Sequence, residues 1–217
     1  MEKNGLKNVA YDYLLWQICT GKMTPNTPIV EQDVSRLLNI SRTPVREALK
    51  QLEMEGLVTH IASRGTFVRE ITLQDINEIY QIRRLFEMAA LEQAVHLIPD
   101  EELDEMEREL EAIGESSNEE DFYHADRNLH STLLRYAYNS RMISFYDILN
   151  AQIERIRRIS SATPRRLASS KSEHLDIIKA IRQRDPDIAR KALAYHIDNV
   201  HKSALRVFES MRMGLKY

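Results

Sequence analysis

The chain has 217 residues, 43% of them apolar and 29% charged, with a net charge of −3. That supports one or two packed domains and excludes a polybasic tail as the source of any nucleic-acid affinity. A single cysteine, Cys19, excludes an internal disulfide framework and fits a reducing compartment. No apolar run approaches the ~20 residues of a membrane span, and Asp12 breaks the one early stretch that could act as a leader. The expected location is cytoplasmic.

Residues 6–20 place Leu6, Val9, Tyr13, Leu14 and Ile18 on a helical stripe that Gly21 closes. Residues 23–28 contain two prolines and form a connector. Residues 31–38 predict a short helix with Val34, Leu37 and Leu38 inward, and Asn39-Ile40-Ser41 turns into another. Ser41 is placed to cap that second helix with its hydroxyl. Pro44 falls in its first turn, where a missing N–H is harmless. Val45, Leu49, Leu52 and Leu57 then repeat at helical spacing as one buried face. Residues 57–61 and 66–69 predict strands joined by a turn at Ala62-Ser63-Arg64-Gly65. Three helices and a two-stranded hairpin make a winged helix-turn-helix over residues 1–70.

The charge is distributed to match. Residues 1–70 hold nine basic and eight acidic side chains, whereas residues 71–217 hold 21 and 25. Between residues 36 and 50, Arg36, Arg42, Arg46 and Lys50 face Glu47 alone. Arg42, Thr43 and Arg46 fall at the exposed N-terminal end of the second helix of the helix-turn-helix, where arginines and a hydroxyl can enter a major groove. Arg64 beside Gly65 suits a minor groove or flanking phosphates. This local positive field points to double-stranded DNA.

From Thr72 the pattern is helical throughout. Thr72-Leu73-Gln74-Asp75 resembles a capping box with Asp in place of Glu or Gln. Six helices are predicted at 73–98, 100–113, 119–138, 141–160, 165–184 and 187–211. Pro99, the stretch 114–118, Asn139-Ser140, Thr163-Pro164 and Asp185-Pro186 separate them. Short connections between long helices make residues 71–217 an antiparallel bundle.

Four side chains stand out there. Asp126 and His130 lie one turn apart on one helix face. His174 and His196 each lie 11 residues from Asp185, which begins a helix as N-cap with Pro186 at its first position. If the flanking helices fold back, both histidines sit ~16 Å from the turn and face each other. Three imidazoles and a carboxylate suit Zn²⁺, Ni²⁺, Mn²⁺ or Fe²⁺ with positions left open. The bland alternative is separate, partly buried histidines. Arg83 lies among apolar residues of the first bundle helix. It either pairs with Glu87 one turn on or forks the carboxylate of a bound ligand.

Taken together, Ser41-Arg42-Thr43-Pro44-Val45-Arg46-Glu47-Ala48-Leu49, Glu55-Gly56-Leu57-Val58 and Arg64-Gly65-Thr66-Phe67-Val68 resemble the GntR family of bacterial transcription regulators. Arg83 through Glu87, and the quartet Asp126, His130, His174 and His196, are similar to its FadR branch with the all-helical FCD domain. Six bundle helices bring the chain nearer the VanR-like subgroup. The resemblance implies DNA contacts from Arg42, Thr43, Arg46 and the wing at Gly65, a phosphate contact from Arg36, and metal ligation by the quartet. Two departures are Gln32, where many relatives carry Arg, and Tyr138, where Gly is frequent.

The expectation is therefore a homodimeric, ligand-responsive repressor and not an enzyme. A divalent metal in its bundle would organise a small carboxylate effector that also contacts Arg83, and the change would register at the linker near Thr72. The alternatives are a regulator for which the ion itself is the signal and a metal-dependent hydrolase.

Overall fold

The structure is a computed structural model that describes residues 3–114, 117–161 and 164–214. Parts of two predicted helix breaks, 114–118 and 163–164, lie outside the described residues. The elements run α1 (Lys3–Cys19), β1 (Pro28–Ile29), α2 (Glu31–Leu38), α3 (Arg42–Met54), β2 (Val58–Ile61), β3 (Gly65–Val68), α4 (Leu73–Leu97), α5 (Asp100–Ala112), α6 (Glu119–Tyr136), α7 (Ser140–Ser160), α8 (Pro164–Arg182) and α9 (Pro186–Arg212). The chain is mainly helical, a winged helix-turn-helix followed by a helical domain. It forms two compact units, Met1–Ile76 with Asp147–Ile159, and Asn77–Tyr146 with Ser160–Tyr217.

The first unit packs around Leu14 and Ile18 of α1, Val45, Ala48 and Leu52 of α3, and Leu57 and Val68 of the wing, all buried. Two sequence assignments fail here. Val9 and Leu37 are 47% and 65% exposed. On α1 the inward ladder is Ala10, Leu14 and Ile18, where the small Ala10 lets the helices close up. On the two-turn α2, Leu37 and Leu38 are a 100° step apart, and only Leu38 packs on the core.

The wing is also larger than expected. Its sheet has three strands in the order β1-β3-β2, with Pro28 opposite Phe67 and Ile29 opposite Thr66. Two residues are too short to show alternation, and Pro28 is admitted because β1 is an edge strand. The turn from β2 to β3 uses Ser63 and Gly65 at positive φ. Ser41 stands at the N-cap of α3 as expected, but its hydroxyl makes no capping bond; it is extended and solvent-facing. The Thr72 box is realised: Thr72 N–H donates to Asp75 Oδ2 (2.8 Å) and Asp75 N–H to Thr72 Oγ1 (3.0 Å).

In the second unit, α8 packs on α9 and on α5, and α6 packs on both α5 and α8. The Asp185 carboxylate accepts from the N–H groups of Asp187 (2.9 Å) and Ile188 (3.2 Å), with Pro186 leading the helix. Arg184, at φ +56°, donates through Nη1 to the carbonyls of Val95 and Ile98 and so closes the C-terminus of α4. The break that sets α8 against α9 is thus pinned from both sides.

Gly56 ends α3 at φ +72°, and a Cβ there would stand 2.8 Å from Gln152 Nε2. Gly56→Ala is expected to cost about 1–2 kcal/mol, mostly from the left-handed backbone. Urea unfolding with an unchanged slope and a lowered midpoint is the measurement; an unchanged midpoint would remove the constraint.

Candidate metal centre and nucleic-acid interface

Helix α6 supplies Asp126 and His130, α8 supplies His174 and α9 supplies His196. All four are buried, and one potential ligand atom from each lies within 4.8 Å of the others. His174 Nε2 is 3.3 Å from His196 Nε2 and 3.4 Å from Asp126 Oδ1. The histidines are level because the capped break at Asp185 lies midway between them.

Carboxylates fix the tautomers. Glu87 of α4 holds His130 at Nδ1 (2.8 Å), and Glu173 of α8 holds His196 at Nδ1 (2.8 Å). A carboxylate only accepts, so in each ring the proton sits on Nδ1 and Nε2 presents a lone pair. Both carboxylates are secured in turn. Arg83 Nε donates to Glu87 Oε1 (2.6 Å), as does the Tyr146 hydroxyl (2.6 Å). Arg166 forks Glu173 (3.0 and 2.8 Å), and Asn199 Nδ2 adds a bond of 2.9 Å.

The protonation states follow. Burial pushes His196 down to about 3, with nearby His130 and Arg83 adding to it against the bond from Glu173. Burial likewise holds His130 below its ordinary value. Burial alone would raise the two carboxylates. Instead Arg83 and His130 hold Glu87 well below the carboxylate range, and His196 and Arg166 hold Glu173 at about 2. The imidazoles of His130 and His196 are neutral and the two carboxylates charged.

The donor set fits a divalent transition metal. The lone pair of His196 Nε2, the neighbouring His174 Nε2 and the Asp126 carboxylate converge on one point where a cation can lie. Ligands bonded at ~2.0–2.1 Å in a tetrahedral arrangement stand about 3.3 Å apart, which is the spacing of the His174 and His196 nitrogens. Carboxylates on the far ring nitrogens are also the usual support for metal-bound histidines.

Arg83 is 1% exposed. It pairs with Glu87, the structural option left open by the sequence, and its Nη2 also lies 2.9 Å from His130 Nε2. Of the histidines left out of the quartet, His124 is exposed against Glu109 and His201 stacks on Tyr80.

In the first unit Arg42, Thr43 and Arg46 are exposed at the start of α3, and Arg64 is exposed on the wing turn beside Gly65. Arg36 is exposed within 3.7 Å of Asp33. Arg46 is held by Glu31 through two bonds, Nε to Oε1 (3.0 Å) and Nη2 to Oε2 (2.8 Å).

Residues 6–68 match the bacterial regulatory proteins of the gntR family, and residues 78–199 match the FCD domain. The chain belongs to the GntR family, in the FadR-like branch that carries an FCD domain. It is 30% identical to the transcriptional repressor RspR of Escherichia coli over 85% of this chain and 82% of that protein. The structure of Escherichia coli McbR/YncC shares the fold, with a TM-score of 0.81 at 19% identity over 94% of this chain and 98% of that one. The zinc-bound FCD domain of TM0439 is 27% identical, with a TM-score of 0.56, over 63% of this chain and 96% of that one.

As a GntR/FCD protein the chain is a DNA-binding transcription regulator, which sets aside the hydrolase alternative. No described helix is long and apolar enough to cross a membrane. Sequence reading missed Glu173, Arg166 and Tyr146 around the histidines, and Glu31 beside Arg46. Glu173 had a signal: Asn199 and His196 lie one turn apart across the Asp185 break, level with it.

The buried Arg83–Glu87 pair makes a sharp prediction. Arg83→Met leaves Glu87 charged and uncompensated and is expected to cost about 3–5 kcal/mol. Arg83→Met/Glu87→Gln should recover part of that loss. Urea midpoints compare the two, and a single variant as stable as wild type would exclude an ionised Glu87.

Proposed function

We propose that this GntR/FCD regulator is a cytoplasmic, homodimeric repressor of the VanR-like kind that answers to a small carboxylate metabolite. Residues 1–70 read the operator: Arg42, Thr43 and Arg46 reach base edges or phosphates in the major groove, Arg64 and Gly65 meet the flanking groove, and Arg36 meets a phosphate. Residues 71–217 hold the effector and the dimer contact. Asp126, His130, His174 and His196 would hold a divalent metal, zinc, nickel, manganese or iron.

The observation that carries the reading is the buried donor set, with the tautomers of His130 and His196 fixed by carboxylates. Two features favour a carboxylate as effector. Arg83–Glu87 and Arg166–Glu173 cancel as pairs, so among these groups a divalent ion meets only the one negative charge of Asp126. The centre is then net positive and attracts an anion. Arg83 also stands beside His130, close enough for its guanidinium to serve a ligand at the same centre. The metal would supply an open coordination position for that ligand and bring three helices together. The zinc in the TM0439 domain and the repressor role of RspR support the same assignment.

Effector binding changes DNA affinity only if it favours one arrangement of the chain over another. Helix α7 is the segment suited to carry that difference. Its Tyr146 donates to Glu87 in the second unit, and its residues Asp147–Ile159 belong to the first.

Arg46→Ala is expected to abolish specific binding to a duplex selected by the wild-type protein while leaving fold and oligomeric state intact. Unchanged affinity would refute its role as a reader. His174→Ala should weaken zinc binding at least ~100-fold in chelator competition and lower the melting temperature. Equal zinc affinity would remove His174 from the site. Measuring operator affinity with and without chelator, before any organic acid is added, separates a metabolite-responsive regulator from one for which the ion is the signal.

A further inference from the structure

Arg46 lies on the second turn of the recognition helix, with its side chain 59% exposed. A free arginine there would sample many rotamers, and fixing one on DNA would cost conformational entropy. It is not free. Glu31, the first residue of α2, takes both hydrogens on one side of the guanidinium, those of Nε and the near hydrogen of Nη2. The guanidinium is planar with five donors, so this side-on fork leaves its end intact. The two parallel hydrogens of Nη1 and Nη2 are the pair that matches guanine O6 and N7, or two phosphate oxygens.

Glu31 is suited to the task in other ways. It stands in the first turn of α2, where a negative charge is favoured by the helix dipole. Its side chain is 31% exposed, and the bond to Arg46, with the nearby charge of Arg42, keeps it ionised. It also has a cost. A carboxylate at a DNA-facing surface repels phosphate wherever its arginine is not engaged.

We infer that Glu31 is a positioning residue for operator recognition: it aims the end-on fork of Arg46 into the groove and, by its charge, disfavours DNA that offers Arg46 no partner. This rests on the proposed reading of Arg46 as a base or phosphate contact. The two functions of Glu31 have opposite signs on the two kinds of DNA. Removing its charge weakens the selected site and strengthens every other site, so it acts on specificity more than on affinity. An ordinary structural glutamate would change both in the same direction.

The test uses the whole chain loaded with zinc, a duplex selected by the wild type from a random pool, and a scrambled duplex of the same composition, over a series of salt concentrations. Glu31→Gln is expected to bind the selected duplex about tenfold more weakly, the scale of one bidentate base contact. It should bind the scrambled duplex more tightly. Glu31→Asp keeps the charge at the helix start but is one methylene too short to reach both hydrogens. It should lose affinity for the selected duplex without gaining on the scrambled one.

In an Arg46→Ala background, Glu31→Gln should no longer weaken the selected duplex. Thermal melting of each variant establishes that it is folded. If Arg46→Ala loses selected binding but Glu31→Gln and Glu31→Asp do not, Glu31 has no positioning role. If Glu31→Gln weakens both duplexes alike, or its effect persists without Arg46, the inference is equally overturned. If Arg46→Ala itself binds as wild type, the reading of Arg46 fails first.

Discussion

A charged carboxylate on Nδ1 of a buried histidine settles what the opposite nitrogen can do, and the helical domain depends on that twice. Glu87 and Glu173 each take the Nδ1 proton of a ring whose Nε2 points to a common centre. Neither carboxylate could do so if burial neutralised it, because a protonated acid would compete as a donor. Each is therefore backed by an arginine, Arg83 or Arg166. The motif is the same in both places: guanidinium, carboxylate, imidazole. A stripe of apolar side chains could hold these helices together at lower electrostatic cost. What it could not do is present neutral, correctly oriented nitrogen lone pairs in the interior of a protein.

The two candidate sites share a logic at opposite extremes of solvation. In the interior, Arg83 is spent on a carboxylate and what it can offer beyond that is one remaining donor edge toward His130. At the surface, Arg46 is likewise engaged on one edge by Glu31 and retains another. Arginine is the side chain that permits this, because its five donors lie in one plane on several edges; lysine, a single rotating ammonium, would not keep a direction. The energetic weight differs. The exposed pair is screened by water and contributes orientation more than stability. The buried pair lacks that screening, so removing one partner alone leaves an uncompensated charge in the interior.

Much of this was legible in the chain. The winged helix-turn-helix follows from helical periodicity ending in two β-rich stretches around Ser63-Arg64-Gly65. The level of His174 and His196 follows from a helix break placed midway between them. What escaped reading did so for identifiable reasons. Strand β1 is two residues long and begins with proline, so it carries no alternation. Val9 and Leu37 satisfy the period as well as their neighbours do, and only the closeness of the packed helices decides between them. Glu87 reads as the partner of Arg83, but its bond to His130 joins two helices far apart in sequence, and Glu173 is one of many acids on a helical chain until the Asp185 break sets it level with His196. The unused hydroxyl of Ser41 is similar: position marks it as a cap, while the extended turn leaves it in solvent.

Helix α7 links these observations. One continuous helix from Ser140 to Ser160 carries Tyr146, which donates to the carboxylate that holds His130, and Ala151, which sits in the core of the first unit. Four to five residues separate the two, little more than one turn. Within the first unit Arg155 donates through Nη1 to the Arg69 carbonyl (2.7 Å), just before the linker. Helices transmit displacement well because their internal bonds resist local deformation. The chain thus passes from one unit to the other inside a helix, and the polar anchor of that helix is the carboxylate that supports a candidate metal ligand.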